Sequence, residues 1–278
     1  MTALKLTALA LSAAVLTATA GAQTYGDCIL TGKKGSSPIK PAVAGQLSIQ
    51  TNLPAPGWFN GDTPSSIKSG FEYCLAANIA YRAGLDKLRV QNVAFDALVA
   101  GKTSKNYDMA FSQVTITPER AKVVDFSVPY FSSDQGVLVK KGAKVTAASI
   151  KGLRLGVQQA TTAQDYLKNS VKPTKPVKVF PDTPSLFTAL RAGQIDAAIL
   201  DTAIVLAQAN ASGGQFEVVG QYKTGEQYGA IYPKGSANKA SIDKIIKAMG
   251  QDGSLKKLSQ AYLSKAFGGD PTSVPYFK

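Results

Sequence analysis

The 278-residue chain contains no histidine and only two cysteines, Cys28 and Cys74. Without histidine there is no Ser-His-Asp triad, no Cys-His dyad and no imidazole-ligated zinc. Two cysteines cannot build a four-thiolate metal site. Metal-dependent and nucleophilic hydrolases are therefore disfavoured by inventory. The chain reads as a non-enzyme that needs no metal or cofactor. Acids are scarce as well: 18 Asp and Glu stand against 31 Lys and Arg, for a formal charge of +13. That excess does not read as a nucleic-acid surface. The densest basic group, KPTKPVK at 172–178, is broken by proline and has no interleaved aromatics. A solvated cationic exterior is the simpler reading. Long apolar runs are also missing beyond the first residues, so nothing later in the chain is expected to cross a bilayer.

The first 22 residues have the plan of a cleaved export signal. Lys5 forms a thin basic region, 6–16 an apolar core and Ala20-Gly21-Ala22 a small-residue cleavage site. Cleavage after Ala22 would release a periplasmic protein and, by removing Lys5, lower the net charge by one. Cys28 follows Tyr-Gly-Asp, which is not a lipid-anchor signal. In an oxidising compartment two cysteines have one intramolecular pairing, Cys28–Cys74, two free thiols being the alternative.

Residues 23–45 form a polar leader without periodicity. From there the pattern is α/β. QLSIQT (46–51), LRVQNV (88–93) and YDMAFSQ (107–113) read as strands. They alternate with helices in GFEYCLAANIAYRAG (70–84) and FDALVAG (95–101), closed by Gly84 and Gly101. The second half repeats the plan. LRLGVQ, VKVF and IDAAILD are strands; TTAQDYLKNS opens with Thr161 and Gln164 at capping-box spacing, and TPSLFTALRAG starts at Thr183-Pro184. ALVAG…YDMAFSQ aligns with ALRAG…IDAAILD, which suggests two related lobes and puts Gln113 and Asp201 at equivalent strand ends. GVLVKKG (136–142) and GAIYPKG (229–235) read as the two crossings between lobes. Two amphipathic tail helices are expected to return to the first lobe. The resulting division is lobe 1 from 46–136 plus 230–278, and lobe 2 from 137–229.

In open α/β sheets ligands collect at the carboxyl ends of strands. The first lobe offers Asn52, Phe95, Gln113, Thr115 and Arg120 there; the second offers Gln158, Thr161, Thr162 and Asp201. Arg120 is the informative one. It follows Thr117-Pro118, a helix start, where a cation opposes the helix dipole by roughly 0.3–1 kcal/mol. It either pairs with Asp125 or faces an anion. With Asp201 across the cleft, the set complements a small zwitterion. Arg120 and the Thr162 backbone N–H suit a carboxylate. Asp201 and the Gln113 carbonyl suit an ammonium, and Phe95 an aliphatic stem.

TITPERAKVVDFSVPYF, GFEYCLA, LGVQQATTAQDYL and ALRAGQIDAAILD together resemble the family 3 extracellular solute-binding proteins, the amino-acid receptors of ABC importers, over about 45–267. The resemblance implies a type II two-lobed binding-protein fold, closing like a flytrap about its two crossings, and a monomer that delivers a free amino acid to a membrane permease. It assigns Arg120 and Thr115 to the ligand carboxylate, the helix start at Thr161 and Thr162 to further amide donors, and Asp201 to the ammonium. Asn52 stands where the family often has Asp, Ala55 where it often has an aromatic, and Cys74 where it often has an acid. Trp58 either replaces that aromatic or covers the lobe. Asn52 and Gln158 are neutral, and no cation other than Arg120 is expected in the cleft. An uncharged polar amino acid is therefore the expected ligand, a basic one the alternative. A cyclohexadienyl dehydratase-like enzyme on the same fold would need a desolvated acid, whereas Asp201 reads as an ordinary carboxylate.

Overall fold

A computed structural model describes residues 25–277; the expected signal sequence and cleavage site lie outside the described residues. The elements, in chain order, are β1 (Gln46–Thr51), α1 (Phe71–Ala83), β2 (Lys87–Asn92), α2 (Phe95–Val99), β3 (Met109–Ala110), α3 (Pro118–Ala121), β4 (Asp125–Phe126) and β5 (Phe131–Lys140). They continue as β6 (Leu155–Gln158), α4 (Thr162–Tyr166), β7 (Lys178–Phe180), α5 (Thr183–Arg191), β8 (Ala197–Asp201), α6 (Thr202–Ala211) and β9 (Phe216–Tyr228). The last are β10 (Ile231–Tyr232), α7 (Lys239–Gln251), α8 (Ser254–Leu258) and α9 (Ser264–Phe267).

Two five-stranded sheets result, ordered β2-β1-β3-β10-β4 and β7-β6-β8-β5-β9. Each has three parallel strands in the order second, first, third. Each then adds an antiparallel strand, β10 or β5, and a fifth strand, β4 or β9, at the edge. The two lobes thus share one plan, as the repeat in the sequence suggests. The crossings sit elsewhere than expected. Gly136–Val139 lies in an interior strand of the second sheet, paired with Ala197–Leu200, and Ile231–Tyr232 belongs to the first. The chain passes between lobes at the start of β5 and the end of β9, where Phe131–Ser133 pairs with Glu226–Tyr228. Thr115 bridges Tyr228 at the same place.

The leader has no periodicity because it is a strap, not an element. The Thr31 amide donates to Asn78 Oδ1 (2.8 Å), and Arg82 Nε donates to the Thr31 carbonyl (3.1 Å). Tyr25 is buried against the same lobe. With the leader on one side and the tail helices α7 and α8 on another, nearly every residue of α1 is buried. That is why its sequence is apolar on all faces rather than on one stripe. Arg82 also reaches Asp252 beyond α7 (2.8 Å), joining leader, first helix and tail. Gly84 ends α1 at φ 80, the left-handed turn where a side chain would be strained.

The tail departs from the expected division in its last residues. Beyond α9 the chain runs on to the second sheet, where Tyr276 bridges Gln221 and Phe277 packs over Gly220.

Cys28 and Cys74 are bonded, closing the strap onto α1 across 46 residues. A loop of that size corresponds to about 4 kcal/mol in the chain-entropy model. Reduction is therefore expected to lower the melting temperature by roughly 10 °C. Ligand binding should survive, because neither cysteine lines the cleft. Calorimetry with and without reductant checks both halves of this expectation.

Candidate functional site

The strand ends of the two sheets face each other across a cavity of about 600 Å³. All ten residues picked from the sequence line it: Asn52, Trp58, Phe95, Gln113, Thr115, Arg120, Gln158, Thr161, Thr162 and Asp201. Local sequence explains how several are held. Thr117 caps α3, its hydroxyl accepting from the Arg120 amide (3.2 Å), so Arg120 sits in a single short turn anchored by Pro118. Asp125 is not its partner, being held by Lys234 (3.0 Å) and the Gly235 amide (2.7 Å). The guanidinium instead donates to the Thr115 carbonyl (2.7 Å) in one lobe and the Ala160 carbonyl (2.8 Å) in the other. It lies 5.7 Å from the centre of the Phe95 ring.

Asp201 ends β8 and is buried. Gly136 lets α6 approach β5 here; a Cβ at that glycine would sit 2.9 Å from the Thr202 Cα. Tyr228 donates to Asp201 Oδ2 (2.5 Å) and Gln135 to Oδ1 (3.0 Å). Burial, and next the Glu226 carboxylate, push the Asp201 carboxyl up to about 7, against the pull of these two bonds and of Arg120. The expectation of an ordinary carboxylate is therefore corrected.

Gln113 adopts φ 49, and the cause is Glu72. That buried carboxylate accepts the Gln113 amide (2.9 Å), the Gln113 side chain and the Tyr130 hydroxyl. Burial pushes Glu72 up to about 7. Both donors of Gln113 point to Glu72, while no described residue donates to its carbonyl.

The helix start at Thr161 differs from a capping box. The Thr161 hydroxyl donates to the Gln158 carbonyl (2.7 Å), and Gln164 Oε1 takes the Ala160 amide (3.0 Å). The Thr161 side chain thus makes no cap, and the first amides of α4 keep their donors. Asn52 donates to the Val93 carbonyl (2.9 Å), and its oxygen faces Gln158 Nε2 at 3.4 Å across the lobes. Trp58 does both things considered for it. It lines the cavity, and it is buried among Phe71, Phe131 and Tyr228 under the crossings, with ring centres 5.0 to 5.7 Å away.

Sequence reasoning missed Glu226 and Gln135. Glu226 accepts from the hydroxyls of Thr115 (2.7 Å) and Thr162 (2.8 Å). It and Asp201 also share the Gln135 amide, with Glu226 oxygens 3.0 Å away. The available signal was a lone glutamine heading the apolar run GVLV and a glutamate shortly before GAIY. Arg191 was missed too: it lines the cavity mouth, so Arg120 is not the only cation there.

Two α/β lobes of equivalent strand order, joined by a double crossing and closed over a cavity with opposed cationic and anionic walls, define a type II two-lobed binding protein. Residues 55–265 match the family model of bacterial extracellular solute-binding proteins, family 3, and the chain belongs to that family. It is 32% identical over 208 residues to the L-cystine-binding protein TcyJ of Escherichia coli (strain K12), covering 73% of this chain and 76% of that one. It is 31% identical over 214 residues to the glutamine-binding protein GlnH of Bacillus subtilis, covering 74% and 77%. An ancestral arginine-binding protein bound to arginine superposes with TM-score 0.71 at 31% identity, covering 78% of this chain and 98% of that one.

Proposed function

We propose that the chain is a monomeric periplasmic receptor, released by cleavage after Ala22. It holds one free amino acid without net side-chain charge and delivers it to an ABC permease. The observation that carries this reading is the layout of charge in the cavity. Arg120 and Asp201 face its inner end, and the neutral Asn52–Gln158 pair spans the lobes beside them. Arg120 takes the α-carboxylate with the free amides at the Thr161–Thr162 helix start, a charge-assisted arrangement. Asp201 and the unpartnered Gln113 carbonyl take the ammonium. Thr115 acts through Glu226, which accepts its hydroxyl and shares the Gln135 amide with Asp201. Phe95 and Trp58 cover the stem.

Named relatives bind cystine and glutamine, both without net side-chain charge, and a structural neighbour binds arginine. A basic side chain needs a counter-charge, since an unpaired buried charge costs far more than a satisfied amide. The Asn52 amide is already engaged with Val93. The basic alternative rests on Asp62 at the cavity mouth, where Arg191 opposes it. The dehydratase alternative rests on the raised Asp201 carboxyl; recovery of the ligand unaltered after prolonged incubation dismisses it.

A thermal-shift panel of free amino acids tests the reading. At a hundred times Kd a ligand stabilises by about 2.7 kcal/mol, or roughly 5–10 °C. Glutamine, asparagine or cystine is expected to give the larger shift. A larger shift with arginine or lysine overturns the neutral pocket. Asn52→Asp should raise arginine affinity about tenfold, and no gain would show that Asn52 does not meet the side chain.

A further inference from the structure

The cavity carries four charged side chains among the described residues, and they form two sets. Arg120 and Asp201 hold the inner end. Asp62 and Arg191 hold the mouth, and each set places its acid and its base on opposite lobes. Between them the wall is largely apolar, with Phe59, Phe187 and Ile204. Arg191 is steadied for such a role. Its Nε donates to Gln215 (2.9 Å), and its guanidinium lies 5.6 Å from the centre of the Phe216 ring, so the terminal nitrogens remain available. Asp62 makes no hydrogen bond or ion pair among the described residues. A volume of about 600 Å³ is in the range that encloses drug-sized ligands, and a single glutamine fills only part of it.

We infer that the ligand is a double-headed amino acid, two α-amino-carboxylate groups joined by a neutral linker. One head lies between Arg120 and Asp201, the other between Arg191 and Asp62. This rests on the amino-acid reading above and narrows it. Each head is a zwitterion, so the ligand has no net side-chain charge, and the two sets of protein charges match it term by term. At the outer head Arg191 takes the carboxylate and Asp62 the ammonium. Both residues are exposed, so the outer head adds less than the inner one.

The test compares cystine, which has two heads, with S-methylcysteine, which has the same inner head and sulfur but no second head. Titration calorimetry is run on the oxidised full chain without reductant. Cystine is expected to bind at least tenfold more tightly, about 1.4 kcal/mol. In an Asp62→Asn, Arg191→Gln double variant the ratio of the two affinities should fall toward one. Both sites are on the surface, and the glutamine side chain is neutral, so folding is not at stake; a melting curve verifies it. Equal binding of the two ligands by the parent protein overturns the inference, as does a ratio unaltered in the variant. Neither result touches the amino-acid reading, which fails only if the inner-head ligands, S-methylcysteine and glutamine included, give no heat and no thermal shift.

Discussion

Arg120→Ala is expected to weaken amino-acid binding at least a hundredfold while leaving the fold in place. Three structural facts set the size of that loss. Among the described residues Arg120 is the one cation at the inner end of the cavity, and it is desolvated enough there that burial lowers its pKa, with Asp201 the first group to oppose this. Its two carbonyl partners, Thr115 and Ala160, fix the fork and tie one lobe to the other. Truncating one member of a buried, hydrogen-bonded charge pair costs about 2–5 kcal/mol, and a hundredfold is about 2.7 kcal/mol. Stability should change little, because α3 is a single turn with no buried residue. Arg120→Lys keeps the charge but not the planar fork, so an intermediate loss is expected. Calorimetry with the preferred ligand, alongside circular dichroism, decides the matter. Near-parent affinity for the alanine variant would remove Arg120 from the site.

Asp201 should make binding depend on pH. Its carboxyl is raised from 3.8 to about 7, so below neutrality the unliganded protein holds a proton there. A ligand ammonium requires the carboxylate, and binding must expel that proton. Affinity for a zwitterion is expected to be steady above pH 8 and to fall as pH drops below 7, approaching tenfold per unit. The groups facing Asp201 are Tyr228, Gln135, Glu226 and Arg120. Two of them do not titrate near neutrality. Tyr228 is held well above its usual range, and Gln135 does not titrate. Calorimetry in two buffers of different ionisation heat would register the released proton. Asp201→Asn should abolish the slope and lower affinity at pH 8 by a hundredfold or more. Binding that strengthens on acidification would reverse the assignment of the ammonium. Folding responds in the opposite sense. Asp201 and Glu72, both raised, hold protons that the unfolded chain releases above about pH 4, so these two groups withdraw stability as pH rises from 4 to 7.

Much of this architecture is legible in the sequence because it repeats. The alternation of strands and capped helices, and the likeness of ALVAG…YDMAFSQ to ALRAG…IDAAILD, foreshadow two sheets of the same order. Arg120 and Asp201 are legible because each breaks a local rule: a cation stands in a first helical turn, and a carboxylate ends an apolar strand. What the sequence hides are residues that follow no period. The leader strap makes its contacts through isolated side chains such as Thr31, bonded to a helix 47 residues later. Glu226 and Gln135 lie on strands whose polar alternation resembles solvent exposure, yet they turn inward because the crossing pairs them beneath the cavity. Arg191 closes a helix, the usual place for a solvated base, and only the closing of the two lobes gives it a cavity to line.

Beside the two covalent crossings, the tail beyond α9 gives the two lobes a third, hydrogen-bonded tie. Residues 268–273 separate the last helix of the first lobe from the segment that pairs with Gln221 in the second. Fully extended, six residues span only about 20 Å. The lobes therefore cannot drift far apart or swivel freely; they are two half-sites on short leashes. A ligand caught by one lobe meets the other at an effective concentration set by those leashes, in the millimolar range typical of short linkers, rather than at the concentration of the protein in solution. On the proposed reading, weak first contacts, one carboxylate on Arg120 or one ammonium on Asp201, would thereby be converted into tight capture without either lobe needing to bind strongly alone.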